Sequence, residues 1–406
     1  MRSIFRLVVW GIAAGAGLAA CSSGGGDALP DGGEERPDRL GKGPHTPSDA
    51  GLADAEIVTP NRFAAVIGTE EGRSGQGTLS FLNLTEPPFL TNPVFEARFC
   101  SPQTSWMGDF LHVANTRYCD SLQRVDPQGG TSTEIDLNEG RSPRSPIVPV
   151  TLFVSDSPDR IYILSLTSSL YLYDGKTGSV SEVMNLSSRV SGDGYSVFMS
   201  TAMAGVGGRL YIGMSDLYFG IPAASRLAIV NPETDEIDEI PLPHVGPIAM
   251  AAHQASGRLF VGSVGLTSFD SRLIGTGGLA CFETENRDFH DSVSVERLGG
   301  EPRDIELSDE VGFLLLRRLR TIDTGHRTSA IRRFRIYPFR LENEFPIYEE
   351  RTETPIYDME WDRRIERLLI GKRSKPAGIV LLTSDGTNEG TIPISALPPV
   401  KIETPE

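Results

Sequence analysis

From residue 62 onward the hydrophobic pattern comes in short bursts. Apolar runs such as Arg160-Ile161-Tyr162-Ile163-Leu164, Arg209-Leu210-Tyr211-Ile212-Gly213 and Arg258-Leu259-Phe260-Val261-Gly262 are bounded by Gly, Pro, Asp and Asn. Runs this short, rich in β-branched and aromatic residues and closed by turn formers, predict strands. Asp-Gly at Asp174-Gly175 and Asn-Pro at Asn231-Pro232 supply the turns between them. Sustained helical periodicity is almost absent.

The bursts recur in units of about 40–50 residues, a period that marks repeat architectures. Each unit has an apolar approach, a polar turn with a short strand, a strand ending in Asp or Asn, and an alternating final strand. The clearest copies are Val150 to Leu186, the segments around 207–235 and 256–286, and the segment 364–386. Weaker copies run Arg62 to Phe99, Trp106 to Leu137 and Glu301 to Glu349, which makes seven. One unit alone leaves two apolar faces wet, and packing units around an axis buries them. The expected fold is all-β, a seven-bladed β-propeller over residues 61–406. An eight-bladed ring or a pair of β-sandwiches is the alternative. The first unit lacks an innermost strand. Either Pro399-Val400-Lys401-Ile402-Glu403 or Glu56-Ile57-Val58 could supply it, and the C-terminal segment is preferred.

The segments Gly208–Gly213 and Leu172-Tyr173-Asp174-Gly175-Lys176-Thr177-Gly178 carry a family resemblance. The chain resembles the seven-bladed propellers of the YVTN and surface-layer-repeat type, within the quinoprotein-dehydrogenase-like and lactonase-like group. The resemblance implies a fold and leaves the function open.

The first residues read differently. Arg2 and Arg6 precede an apolar run from Leu7 to Ala20, which ends in Leu18-Ala19-Ala20-Cys21. The run is shorter than the ~20 residues a membrane-spanning helix needs. A basic start, an apolar core and small residues before a cut describe a secretory signal. This resembles a bacterial lipoprotein signal peptide, which implies removal of residues 1–20 and lipidation of Cys21. Ser22 rather than Asp after that cysteine favours the outer membrane. Residues 21–60, rich in Gly, Pro, Asp and Ser, are expected to be a disordered tether. The chain is therefore expected in the cell envelope, held to the membrane by lipid.

Composition narrows the partners. Lys and Arg number 38 and Asp and Glu 54, a net charge of −16. Such a surface repels phosphate backbones, so nucleic acid is not expected to bind. The local exception, Arg317 to Arg335, is read as a solvated strand face paired with acidic neighbours. Export exposes cysteines to an oxidising compartment. Cys100 and Cys119 are expected to form a disulfide across neighbouring strands, and Cys281 to be a buried small hydrophobe.

No compact catalytic or metal-binding motif appears. The six histidines lack metal-site spacing, and His244 and His253 are read as blade-loop or core residues. Asp235–Glu239 alternates with apolar residues as a strand does, and 385–390 reads as a hairpin turn. Longer inserts at 266–276 and 320–328, with Tyr218, Phe219 and Phe269 in or beside such loops, are the candidate recognition surface. No catalytic residue, metal ligand or cofactor is assigned. The function expected on this basis is a non-enzymatic binding or scaffold module for an envelope protein or glycan. The alternative is a lactonase- or dehydrogenase-type enzyme with a metal or cofactor site in the central channel.

Overall fold

The computed structural model describes residues 63–405 apart from 72–73, 85–87, 92–94, 116–120, 129, 139–146, 155–158, 166–167, 187–196, 219–220, 235, 268–272, 275–276, 319–326, 353 and 395–396. Seven antiparallel sheets of four or five strands follow one another along the chain, with a two-stranded ribbon at 266–267 and 273–274. The seven units read from the sequence are these seven blades. Their first strands are Gln103–Met107 in blade 2, Pro149–Val154 in blade 3, Val197–Val206 in blade 4, Pro247–His253 in blade 5, Glu301–Leu307 in blade 6 and Met359–Asp362 in blade 7.

Blade 1 takes its innermost strand from the far end of the chain. Pro399–Glu403 pairs antiparallel with Phe63–Glu71, with Val66 opposite Ile402. The C-terminal segment therefore closes the ring. The seven innermost strands touch one another in sequence, and the last of them meets that of blade 2.

Burial explains why the central strands read as continuous apolar runs. Each blade is covered on both faces by its neighbours, so Arg258–Ser263 is buried at every position. The outermost strands meet solvent and alternate, as in Glu236–Pro241, where Glu236 and Asp238 are exposed and Ile237 and Ile240 half-buried. The hydrophobic core is correspondingly divided. Among the described residues it forms seven clusters, each drawn from two adjacent blades. Phe260 and Phe334 meet across blades 5 and 6 with ring centroids 4.9 Å apart, and Phe313 stacks on Trp361 across blades 6 and 7 at 5.2 Å. The cluster joining blades 7 and 1 contains Ile379, Ala64 and Ile402, so the closing seam is packed like the rest. Burying each such side chain contributes roughly 1.5–3 kcal/mol.

The glycine that ends the recurring Arg-Leu-Tyr-Ile-Gly burst has a packing reason. A Cβ on Gly213 would sit 2.8 Å from Pro247, and one on Gly262 2.9 Å from Pro302. In both cases the proline lies on the next blade's innermost strand. The repeat thus encodes the close approach of successive blades as well as its own strands. Arg373 secures the closing seam. Its guanidinium donates to the carbonyls of Pro398 at 2.7 Å and Thr69 at 3.2 Å, and it lies against the Tyr357 ring.

Candidate active site on the ring axis

An innermost strand is a sheet edge, so its outward N–H groups need acceptors other than a further strand. In blades 6, 7 and 1 the sequence supplies carboxylates. Asp304-Ile305-Glu306 lies on the innermost strand of blade 6, and Asp358-Met359-Glu360, 54 positions later, runs from the residue just before that of blade 7 into its start. Lys401-Ile402-Glu403 holds the same place in blade 1. Each acidic pair reaches to the next blade. Asp304 accepts from the Met359 N–H at 3.3 Å, and Glu306 from the Trp361 N–H at 3.3 Å. Asp358 accepts from the Ile402 N–H at 2.7 Å, and Glu360 from the Thr404 hydroxyl at 2.8 Å.

Lys401 breaks the series by presenting a cation where its neighbours carry Asp. Its ammonium lies 3.0 Å from Asp358 and 3.6 Å from Glu403. Glu403 also accepts from the Thr104 hydroxyl at 2.7 Å, which carries the network into blade 2. The result is two layers near the axis: Asp304, Asp358 and Lys401 in one, Glu306, Glu360 and Glu403 in the other. Asp304, Glu306, Glu360, Lys401 and Glu403 are half-buried and Asp358 is buried.

This crowding decides the protonation states. Burial first, and the nearby Asp358 second, push the Asp304 carboxyl up to about 7. Glu306 is pushed well above the usual carboxylate range by burial and then by Asp304. Glu360 is raised by burial and then by Glu306 and Glu403. Burial alone would lower the Lys401 ammonium. Asp358, Glu403, Glu360 and Asp304 outweigh it and hold the ammonium well above its ordinary value. The axis therefore holds a carboxyl pushed up to about 7, two further carboxyls whose hold on a proton is strengthened by burial and by each other's charge, and a fixed cation. Such a set can take a proton from water and stabilise a developing oxyanion.

The other expected residues stand elsewhere. His244 and His253 are buried, His244 just before the innermost strand of blade 5 and His253 at its end. Cys281 is a buried free thiol, raised to about 11 by burial. Cys100 is buried, while Cys119 lies outside the described residues. The arginine face is largely paired as expected, with Arg318 on Glu349 and Arg333 and Arg335 sharing Glu342. Arg332 departs from the expectation of a solvated face: it is buried and donates to the carbonyls of Asn343 and Glu344. Tyr218 closes the strand Arg209–Tyr218, but its side chain, Phe219 and Phe269 lie outside the described residues, as does Cys21. Among the described residues no cluster of His, Cys, Asp and Glu is arranged to hold a metal, and no helix is long and apolar enough to cross a membrane.

No family model and no curated protein matches this chain. Solved structures do. A provisionally assigned 6-phosphogluconolactonase of Bacteroides fragilis is similar over 87% of this chain and 100% of its own, with a TM-score of 0.58 at 15% identity. One with the same provisional assignment from Bacteroides uniformis covers 84% and 99%, with a TM-score of 0.55 at 13% identity. The periplasmic gluconolactonase of Pseudomonas aeruginosa covers 85% and 99%, with a TM-score of 0.53 at 14% identity. At these identities the likeness shows the fold. It also corrects the expectation of a non-enzymatic binding or scaffold module, because these neighbours of the whole ring bear lactonase names. The reason for the error is physical. A ring needs no contiguous motif, because its axis collects one or two side chains from each blade.

Proposed function

We propose that the protein is a lactonase-type hydrolase whose reaction takes place on the ring axis. The observation that carries this reading is Asp304, a carboxyl titrating at about 7 within an axial cluster that also holds the Lys401 ammonium. The lactonase names of its structural neighbours support the same reading. In this reading Asp304 takes a proton from the attacking water. The water oxygen adds to the lactone carbonyl, and Lys401 stabilises the resulting oxyanion. A carboxyl of the second layer, Glu306 or Glu360, both raised above the usual carboxylate range by burial, donates a proton to the ring oxygen as its acyl bond breaks. The product is the open hydroxy acid.

The test is proton release from five- and six-membered sugar lactones by the purified protein between pH 6 and pH 8. Catalysed ring opening with at least one of them is expected. A rate equal to spontaneous hydrolysis across the set would remove the reading.

Three further proposals concern placement. Cys21 carries the lipid anchor after loss of residues 1–20, and residues 21–60 tether the ring to the membrane. The protein works in the cell envelope, with the outer membrane favoured over the inner. Cys119 is the partner of Cys100. Mass spectrometry of the mature N-terminus and of non-reduced peptides tests the lipid and the pairing directly.

A further inference from the structure

A cleft lies apart from the axial cluster and shares no residue with it. It is formed where the hairpin joining the first two strands of blade 5 meets two hairpins of blade 6. Its volume is about 260 Å³, and His253, Ser256, Asp309, Glu310, Arg335 and Tyr337 line it. Tyr337 is 71% exposed, which is unusual for so large an aromatic surface. It is nevertheless fixed. The Arg258 guanidinium lies 4.3 Å from the centre of its ring and covers one face. Arg258 is buried and held by the Ile336 carbonyl at 2.8 Å and Glu283 at 3.1 Å. The platform is thus braced from behind.

Around it stand groups suited to hydroxyls. Asp309 and Glu310 are exposed hairpin residues. Arg335 is oriented by Glu342 at 2.9 Å, and the Ser256 hydroxyl shares a 2.7 Å hydrogen bond with His253 Nδ1. A braced aromatic face beside carboxylates and a guanidinium matches one chemistry. The C–H face of a pyranose ring is flat and weakly positive, and it lies well on the negative face of an aromatic ring. Neighbouring hydroxyls then bridge carboxylate oxygens and guanidinium N–H groups in pairs. The carboxylates and the chain's charge of −16 disfavour acidic sugars.

We propose that this cleft binds one pyranose ring of an uncharged glycan, as a recognition site separate from the axis. Its occupancy would hold the protein against a glycan without engaging the axial cluster.

The test is saturation-transfer NMR on the full mature protein with methyl α-glucoside, methyl β-galactoside, N-acetylglucosamine and its trisaccharide. Transfer to ring C–H protons of at least one sugar is expected, with Kd on the order of a millimolar. Tyr337→Ala weakens it about tenfold and Tyr337→Phe preserves it. Asp309→Asn weakens it without removing the platform, and Asp304→Asn on the axis leaves it unchanged. Absence of transfer from every sugar would overturn the proposal. So would equal binding by Tyr337→Ala, or binding lost in Asp304→Asn alone, which would place the sugar on the axis.

Discussion

Replacing Lys401 with Met isolates the electrostatic part of the axial network. Met preserves most of the apolar stem and removes the charge. The ammonium is held 3.0 Å from Asp358 and 3.6 Å from Glu403, and the three side chains are only 16%, 10% and 18% exposed. Removing one partner of a buried ion pair leaves an uncompensated charge and typically costs about 3–5 kcal/mol. The partial exposure here places the expected loss towards the lower end, about 3 kcal/mol at pH 7.5. Urea unfolding measures it. The loss has a pH signature. Without the cation that lowers them, the axial carboxyls hold protons more tightly, the folded state binds additional protons, and acidification restores stability. At pH 5 the deficit is expected to shrink to less than half. The double variant Lys401→Met/Asp358→Asn is expected to recover most of it, because Asn still offers an oxygen to the Ile402 N–H. A loss under about 1 kcal/mol, or an equal loss at both pH values, would refute the argument that Lys401 compensates the axial carboxylates.

Three other outcomes follow from the same geometry. Gly262→Val places methyl groups against Pro302, where even a Cβ lies at 2.9 Å, and is expected to destabilise by at least about 2 kcal/mol in thermal or urea unfolding. Arg373→Ala removes donors to Pro398 and Thr69 at the closing seam, and is expected to cost about 2–4 kcal/mol and to raise amide exchange first in the strand 399–403. For the unmodified protein, stability is expected to rise from pH 8 to pH 5. A carboxyl raised to about 7 from 3.8 binds its proton more tightly folded than unfolded, so it opposes folding above that range and ceases to as it protonates. The gain is read as a higher urea midpoint at pH 5 than at pH 8.

The ring was readable in the sequence because each blade repeats one burial logic. Central strands covered on both faces appear as unbroken apolar runs, and the outer strands as alternation. The missing innermost strand of the first unit pointed to 399–403, and Ile402 fills that place. The site was less readable. Asp304-Ile305-Glu306 and Asp358-Met359-Glu360 do not look like a motif, since neither pair is complete without the next blade. The available signal was their recurrence at one place in successive units, on strands that elsewhere carry Leu152 or Ile248. Lys401 stood within the segment assigned to close the ring, but only the closed ring brings its ammonium to Asp358. The cleft at Tyr337 depends on Arg258 from another blade, 79 positions away, and no local pattern announces it.

The central claim is that the axial carboxylates catalyse lactone hydrolysis, and the pH–rate profile of Asp304→Asn against the unmodified protein tests it most directly. Asn keeps an oxygen for the Met359 N–H and loses the titrating proton. The unmodified enzyme is expected to show kcat/KM rising with an apparent pKa near 7, and the variant to lose at least a hundredfold and to lose that inflection while unfolding at a similar urea concentration. An unchanged rate and profile in a well-folded Asp304→Asn protein would contradict the account.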